Sequence, residues 1–128
     1  MGDALEVSGL ERALAEVQQP GAGAVAGSIV HVGSNKGAFG NTEAASGMLS
    51  LIKMALAVSN GIVPAMGKLG APNPMCNFEG RLRPLLCQLK LAQEDRVGVT
   101  SLRYGGTNAH TVLCAAEAHG IQRRLRSA

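Results

Sequence analysis

Val7, Leu10, Leu14 and Val17 recur at intervals of three and four residues, a period that predicts an amphipathic helix over about 3–17. Asp3 and Glu6 stand three apart at its start, in a capping-box pattern. The following Gln19-Pro20-Gly21-Ala22-Gly23 has no period and predicts a linker. Ser28-Ile29-Val30-His31-Val32, closed by Gly33, predicts a short strand buried on both faces, as in a parallel sheet. A second helix is predicted from near Thr42 to about Asn60. Its apolar residues, from Ala44 through Met48, Leu51, Ile52 and Met54 to Val58, lie almost all round, the mark of a buried helix. Gly61 supplies its stop. Pro64, Pro72 and Pro74 predict a long ordered loop over 62–78. Leu82, Leu85, Leu86 and Leu89 form an apolar segment that fits either element type. Val97–Leu102 and Ala109–Cys114 flank Gly105-Gly106-Thr107-Asn108, residues that tolerate positive φ, and predict an antiparallel hairpin.

Composition narrows the function classes. The 128 residues bound the chain to one domain, with 46% hydrophobic against 16% charged residues, which excludes a disordered chain. Aromatics are 2%, with no Trp, so the aromatic platforms of base-stacking nucleic-acid modules are missing. The net charge of +3 owes much to Arg123, Arg124 and Arg126. We read residues 1–119 as the domain and 120–128 as a basic, solvated tail; a phosphate or lipid-surface binder would rest on that tail alone. Cys76, Cys87 and Cys114 form no CxxC pair and have no neighbouring His pair, against a disulfide framework or a zinc site. Cys87 and Cys114 read as small buried apolar groups, and Cys76 lies in the Pro-rich loop. The longest apolar stretch, 47–58, is short and contains Lys53, so no transmembrane segment is expected. The start has no secretory pattern. The expected location is intracellular and reducing, in the cytoplasm or an organelle such as a plastid, with no secretion.

Three segments carry a resemblance. Gly2-Asp3-Ala4-Leu5-Glu6-Val7 is similar to the helix start that directly follows the His-Gly-Thr-Gly-Thr motif of the β-ketoacyl synthases, the condensing enzymes of fatty-acid and polyketide synthesis. Lys36 through Ser46, within the stretch Val32–Gly47, resembles that family's Lys-Ser-Asn-Ile-Gly-His-Thr-Glu-Ala-Ala segment. Arg103-Tyr104-Gly105-Gly106-Thr107-Asn108-Ala109-His110 resembles Gly-Phe-Gly-Gly-Thr-Asn-Ala-His, and Ala71-Pro72-Asn73-Pro74 fits the loop between. The likeness runs over about residues 2–114 in order and spacing.

The family's chemistry uses a cysteine that takes the acyl chain and two histidines that stabilise the enolate formed as malonyl thioester loses carbon dioxide. The resemblance places the cysteine and the first histidine before Gly2. It places the second histidine at Asn41, whose amide can donate a hydrogen bond but cannot exchange a proton near neutral pH. Asn41 has two readings: an N-cap of the second helix, or the donor of a Cys-His-Asn set. Lys36 and Glu43 match the charges beside that histidine, either organising the loop or forming a plain solvated pair. Tyr104 falls at the family's gating Phe, with Arg103 in place of a permissive glycine. Phe39, Tyr104, Gly105, Gly106, Thr107 and Asn108 are the substrate-pocket and gate candidates. His110 reads as a satisfied structural histidine, and no metal site is expected.

The fold class implied is α/β, a partial thiolase-like fold corresponding to the C-terminal half of a ketosynthase, with a mixed sheet and a C-terminal antiparallel hairpin. The family's half carries five strands in the order 3-2-1-4-5; this chain would keep strand 3 near 28–33 and strands 4 and 5, without the two central ones. Buried parallel strands lacking neighbours imply an obligate protein partner. The primary functional expectation is a ketosynthase-derived structural subunit, a pseudoenzyme without condensing activity of its own. The alternative is the C-terminal fragment of a working acyltransferase whose cysteine half is a separate chain. No cofactor is implied; the family's substrates are acyl and malonyl thioesters on acyl carrier protein, a partner under the alternative only.

Overall fold

A computed structural model describes residues 2–16, 28–67, 71, 73–103 and 105–116. Helix α1 (Gly2–Glu16) is followed by strand β1 (Val30–Val32), the short helix α2 (Lys36–Phe39), a 3-10 turn (Glu43–Ala45) and helix α3 (Ser46–Asn60). Strands β2 (Ile62–Val63), β3 (Leu82–Pro84), β4 (Leu89–Lys90), β5 (Arg96–Leu102) and β6 (Asn108–Cys114) complete the order. The chain divides into two compact units, Met1–Thr42 with Pro64–Leu89, and Glu43–Val63 with Lys90–Ala128.

In the first unit, β1 and β3 pair in parallel, Val30 opposite Leu82 and Val32 opposite Pro84. The chain continues the ladder past β3, where Leu85 N–H donates to Val32 O at 2.9 Å and Met66 N–H to Leu85 O at 2.9 Å. Leu82 is 1% exposed, and Leu85 and Val7 are also buried. Val7 on α1 thus marks the core-facing stripe that the helical period predicts, with Leu10 and Leu14 half-buried. Asp3 does not act as a cap: it lies inside α1, and Lys36 Nζ donates to its carboxylate. Strand β1 is not buried on both faces, since His31 is exposed and Val30 and Val32 are half-buried; among the described residues β1 has one paired neighbour. That neighbour, β3, comes from the leucine segment that the apolar pattern left open between helix and strand.

The second unit packs α3 on the β5–β6 hairpin. Val97 and Val99 of β5 and Ala57 of α3 are buried, and Gly47 of α3 lies so close to β5 that a Cβ there would stand 2.8 Å from Ser101 Oγ. The hairpin is antiparallel from Arg96 opposite Cys114 to Leu102 opposite Asn108, as its sequence predicts. Gly61 ends α3 in the left-handed region at φ +67, the conformation that favours glycine at this place. The helix begins later than predicted, at Ser46, with Ala45 at its N-cap.

Two expectations fail on burial. Helix α3 is not buried all round: Met48, Ile52 and Leu56 are 61%, 51% and 59% exposed. They stand four residues apart and form one stripe, opposite the face that meets the hairpin. Apolar character all round a helix records what it can pack against, and the described residues supply one such face. Cys87 and Cys114 are exposed, not buried, whereas Cys76 is half-buried. Cys114 lies opposite Arg96, on the sheet face away from Val97, and Cys87 lies on a bend between β3 and β4. Within the predicted loop, Ile62–Val63 forms β2, which pairs with β4. The architecture is therefore mixed α/β, with three two-stranded sheets among the described residues, the last of them the C-terminal antiparallel hairpin. Lys68–Gly70, Pro72 and the basic tail 120–128 lie outside the described residues.

Candidate functional site

The segment that follows β1 turns tightly. Ala38 and Phe39 N–H both donate to Asn35 O, and Gly40 N–H donates to Lys36 O at 2.9 Å. Gly37 is packed on the carbonyl of Gly67, where a Cβ would come within 2.4 Å of the oxygen, so no larger residue fits without moving that backbone. Gly40 takes φ +73 and delivers the chain to Asn41. Phe39 is 65% exposed, and Asn41 is exposed. Asn41 is not the N-cap of α3, because a 3-10 turn intervenes and Ala45 holds that place.

The electrostatics of this region centre on α1. Lys36 forms an ion pair with Asp3, a partner that the likeness of Lys36 and Glu43 to the family's charges did not anticipate. Beside them, burial raises the Glu6 carboxyl above the ordinary carboxylate range, the Lys36 charge opposes that rise, and the Asp3 charge adds to it.

In the second unit, Glu43 opens the 3-10 turn with φ +48, an uncommon conformation for a residue with a side chain. The hairpin tip carries Gly105 and Gly106 at φ +96 and +83, with Gly106 N–H donating to Arg103 O at 3.2 Å. Arg103 is exposed and so accommodates its charge by pointing to solvent. Thr107 and Asn108 are exposed beside it. Tyr104 lies outside the described residues. His110 stands opposite Thr100, its Nδ1 2.8 Å from Thr100 Oγ1, which agrees with a satisfied structural histidine. The candidates thus fall into two groups: Lys36, Phe39 and Asn41 in the first unit, and Glu43 with the Gly105–Asn108 tip in the second.

Sequence reasoning missed a polar cluster in the first unit. The Glu11 carboxylate accepts from Arg81 N–H at 3.1 Å and Leu82 N–H at 2.8 Å. The Arg81 guanidinium donates to Leu14 O, Ser28 O and Ser28 Oγ, and Arg83 donates to the carbonyls of Phe78, Gly80 and Leu82. The available signal was that Glu11 stands four residues after Val7, a charge on the apolar stripe of α1. No group of three or more metal-ligating side chains occurs among the described residues, and no helix among them is long and apolar enough to cross a membrane.

Comparison with known proteins agrees with these segments. The β-ketoacyl synthase C-terminal domain matches residues 1–69, more than half of the chain. The chain is 46% identical over 140 residues to the hybrid PKS-NRPS synthetase TAS1 of Cordyceps militaris, across 92% of this chain and 9% of that protein. It is 48% identical over 105 residues to the synthetase of that name from Pyricularia oryzae, across 75% of this chain and 6% of that protein. Against the highly reducing polyketide synthase cm3B of Cordyceps militaris the identity is 38% over 116 residues, across 91% and 4% of the two chains. The chain therefore spans less than a tenth of the length of these relatives. Its α1 start and its Lys36–Ser46 turn lie within the matched domain, and the chain belongs to the β-ketoacyl synthase family as a piece of the ketosynthase C-terminal domain.

Proposed function

We propose that the chain works as the C-terminal part of a polyketide-synthase ketosynthase, and that it supports condensation together with a part of the enzyme that carries the cysteine. The observation that carries this reading is the domain match over residues 1–69 combined with the three polyketide-synthase relatives above, which cover 75–92% of the chain. It favours a piece of a working synthase over a purely structural subunit.

In the proposed reaction the cysteine thiolate first takes the acyl group from its thioester. Malonyl thioester on acyl carrier protein then loses carbon dioxide, the electrons of the broken C–C bond form an enolate, and the enolate carbon attacks the acyl carbon and releases the thiolate. Asn41 contributes one fixed N–H donor where the enolate oxygen gains charge, and no proton passes through it. Lys36 holds the turn that leads to Asn41, and Phe39 lines the acyl path beside it. The arrangement proposed for the complete domain is thiolase-like, with the α3 stripe covered by the cysteine-bearing part. By itself the chain is inactive, since a lone donor cannot split the reaction into covalent steps.

The replacement of the family's histidine by Asn41 favours the second reading, a structural subunit. The two separate in an assembled ketosynthase that contains this chain. Asn41→Ala is expected to lower kcat for condensation by about 10²-fold, and Cys76→Ser to leave it unchanged. Condensation indifferent to Asn41→Ala would leave only the structural role.

A further inference from the structure

The Glu11 cluster joins three parts of the first unit that are far apart in sequence. One carboxylate oxygen, Oε2, accepts from Arg81 N–H at 3.1 Å, and the other, Oε1, accepts from Leu82 N–H at 2.8 Å. A bidentate acceptor on two successive amides fixes both the distance and the rotation of the helix that carries it, because a charged acceptor holds its donors more tightly than a neutral one. Gly80 makes the approach possible: a Cβ at that position would stand 2.4 Å from Oε2 and 2.6 Å from Oε1. The Arg81 side chain adds a second clasp. Its Nη1 donates to Leu14 O at 3.1 Å, one of the carbonyls that the last turn of a helix leaves without an intrahelical partner, and its Nε and Nη2 donate to Ser28 O and Oγ at 2.9 Å. At the other end of α1, Asp3 is paired with Lys36. The helix is thus held in its second half by the backbone entering β3 and in its first turn by the segment that leads to Asn41.

We propose that Glu11 is a positioning residue for the ketosynthase site: its grip on the Arg81–Leu82 backbone sets α1, and so fixes the first turn of α1 against the Lys36–Asn41 segment. The inference rests on the function proposed above, in which Asn41 donates to the enolate oxygen. Glu11 touches no reacting group. It acts through the axis of α1, and loss of its grip lets the Asp3–Lys36 pair, and with it the Lys36–Asn41 segment, shift. A displacement of about 1 Å costs up to about 10²-fold in rate.

The test has two arms. Amide hydrogen exchange on the 128-residue chain is expected to show Arg81 and Leu82 protected, with protection lost at both in Glu11→Ala and partly kept in Glu11→Gln, which retains one carbonyl acceptor. Unchanged exchange in Glu11→Ala shows that the clamp does not hold α1 and overturns the proposal, whatever the enzyme does. In the assembled ketosynthase, Glu11→Ala is expected to lower kcat for condensation by about 10-fold to 100-fold with KM for the carrier-bound malonyl thioester unchanged, and Glu11→Gln to recover part of the loss. Gly80→Ala, which expels the carboxylate while leaving Glu11 in place, should match Glu11→Ala, and the double variant should be no worse than either. Equal kcat in all variants, alongside an active parent enzyme, overturns the positioning role. An inactive parent enzyme would instead count against the functional reading, with the exchange arm still deciding the clamp.

Discussion

Leu82 is the most deeply buried side chain among the described residues, at 1% exposure, and it sits where the Glu11 carboxylate meets β3. Leu82→Ala should cost about 2–5 kcal/mol, read from urea unfolding; a loss under about 1 kcal/mol would mean that the first unit does not depend on this core. Glu6 has the opposite character, a carboxyl whose pKa is raised chiefly by burial. A raised carboxyl binds its proton more tightly in the folded state than in the unfolded one. Its contribution is therefore favourable below the ordinary carboxylate range and declines as pH rises through the raised pKa. Glu6→Gln should make the chain more stable at neutral pH and flatten its stability as pH rises from the ordinary carboxylate value through the raised one. A steeper profile in that variant would contradict the burial cause. Gly61→Ala, at φ +67, should cost about 1 kcal/mol through backbone strain, since the nearest atom to an added Cβ, Leu91 O, lies at an ordinary 3.8 Å.

Elements specified by local chemistry were legible in the sequence. The α1 stripe, the Gly61 stop and the β5–β6 hairpin each depend on residues within a few positions of one another, and the glycines at 105 and 106 fix the hairpin tip. Strand β3 was not legible, because Leu82-Arg83-Pro84 is three residues long and its pairing with β1 spans some fifty residues. The same holds for the site: the Lys36–Asn41 turn could be read as a motif, whereas the Asp3 partner of Lys36 and the Glu11 clamp depend on contacts over 33 and 70 residues. The packing of α3 on β5 can be tested at Gly47, where Ser101 Oγ lies 2.8 Å from the place of a Cβ. Gly47→Ala should destabilise the chain, and adding Ser101→Gly should recover most of the loss in a double-mutant cycle. Additive effects would show that the two positions do not meet.

At the scale of the whole molecule, the described residues bury seven apolar side chains and leave eleven large ones exposed. The chain spans less than a tenth of the length of its relatives. Three of the eleven, Met48, Ile52 and Leu56, form one apolar stripe on α3. Replacing Ile52 and Leu56 by Gln should leave α3 formed and reduce the binding of a hydrophobic dye by the isolated chain. Dye binding that does not change would mean that other surface accounts for it. The most direct measurement is condensation of an acyl thioester with carrier-bound malonyl thioester, assayed with this chain alone, with the cysteine-bearing part of a ketosynthase alone, and with the two combined. The predicted result is product from the combination only, reduced about 10²-fold by Asn41→Ala. Turnover by this chain alone, or a combination no more active than the cysteine-bearing part, would contradict it.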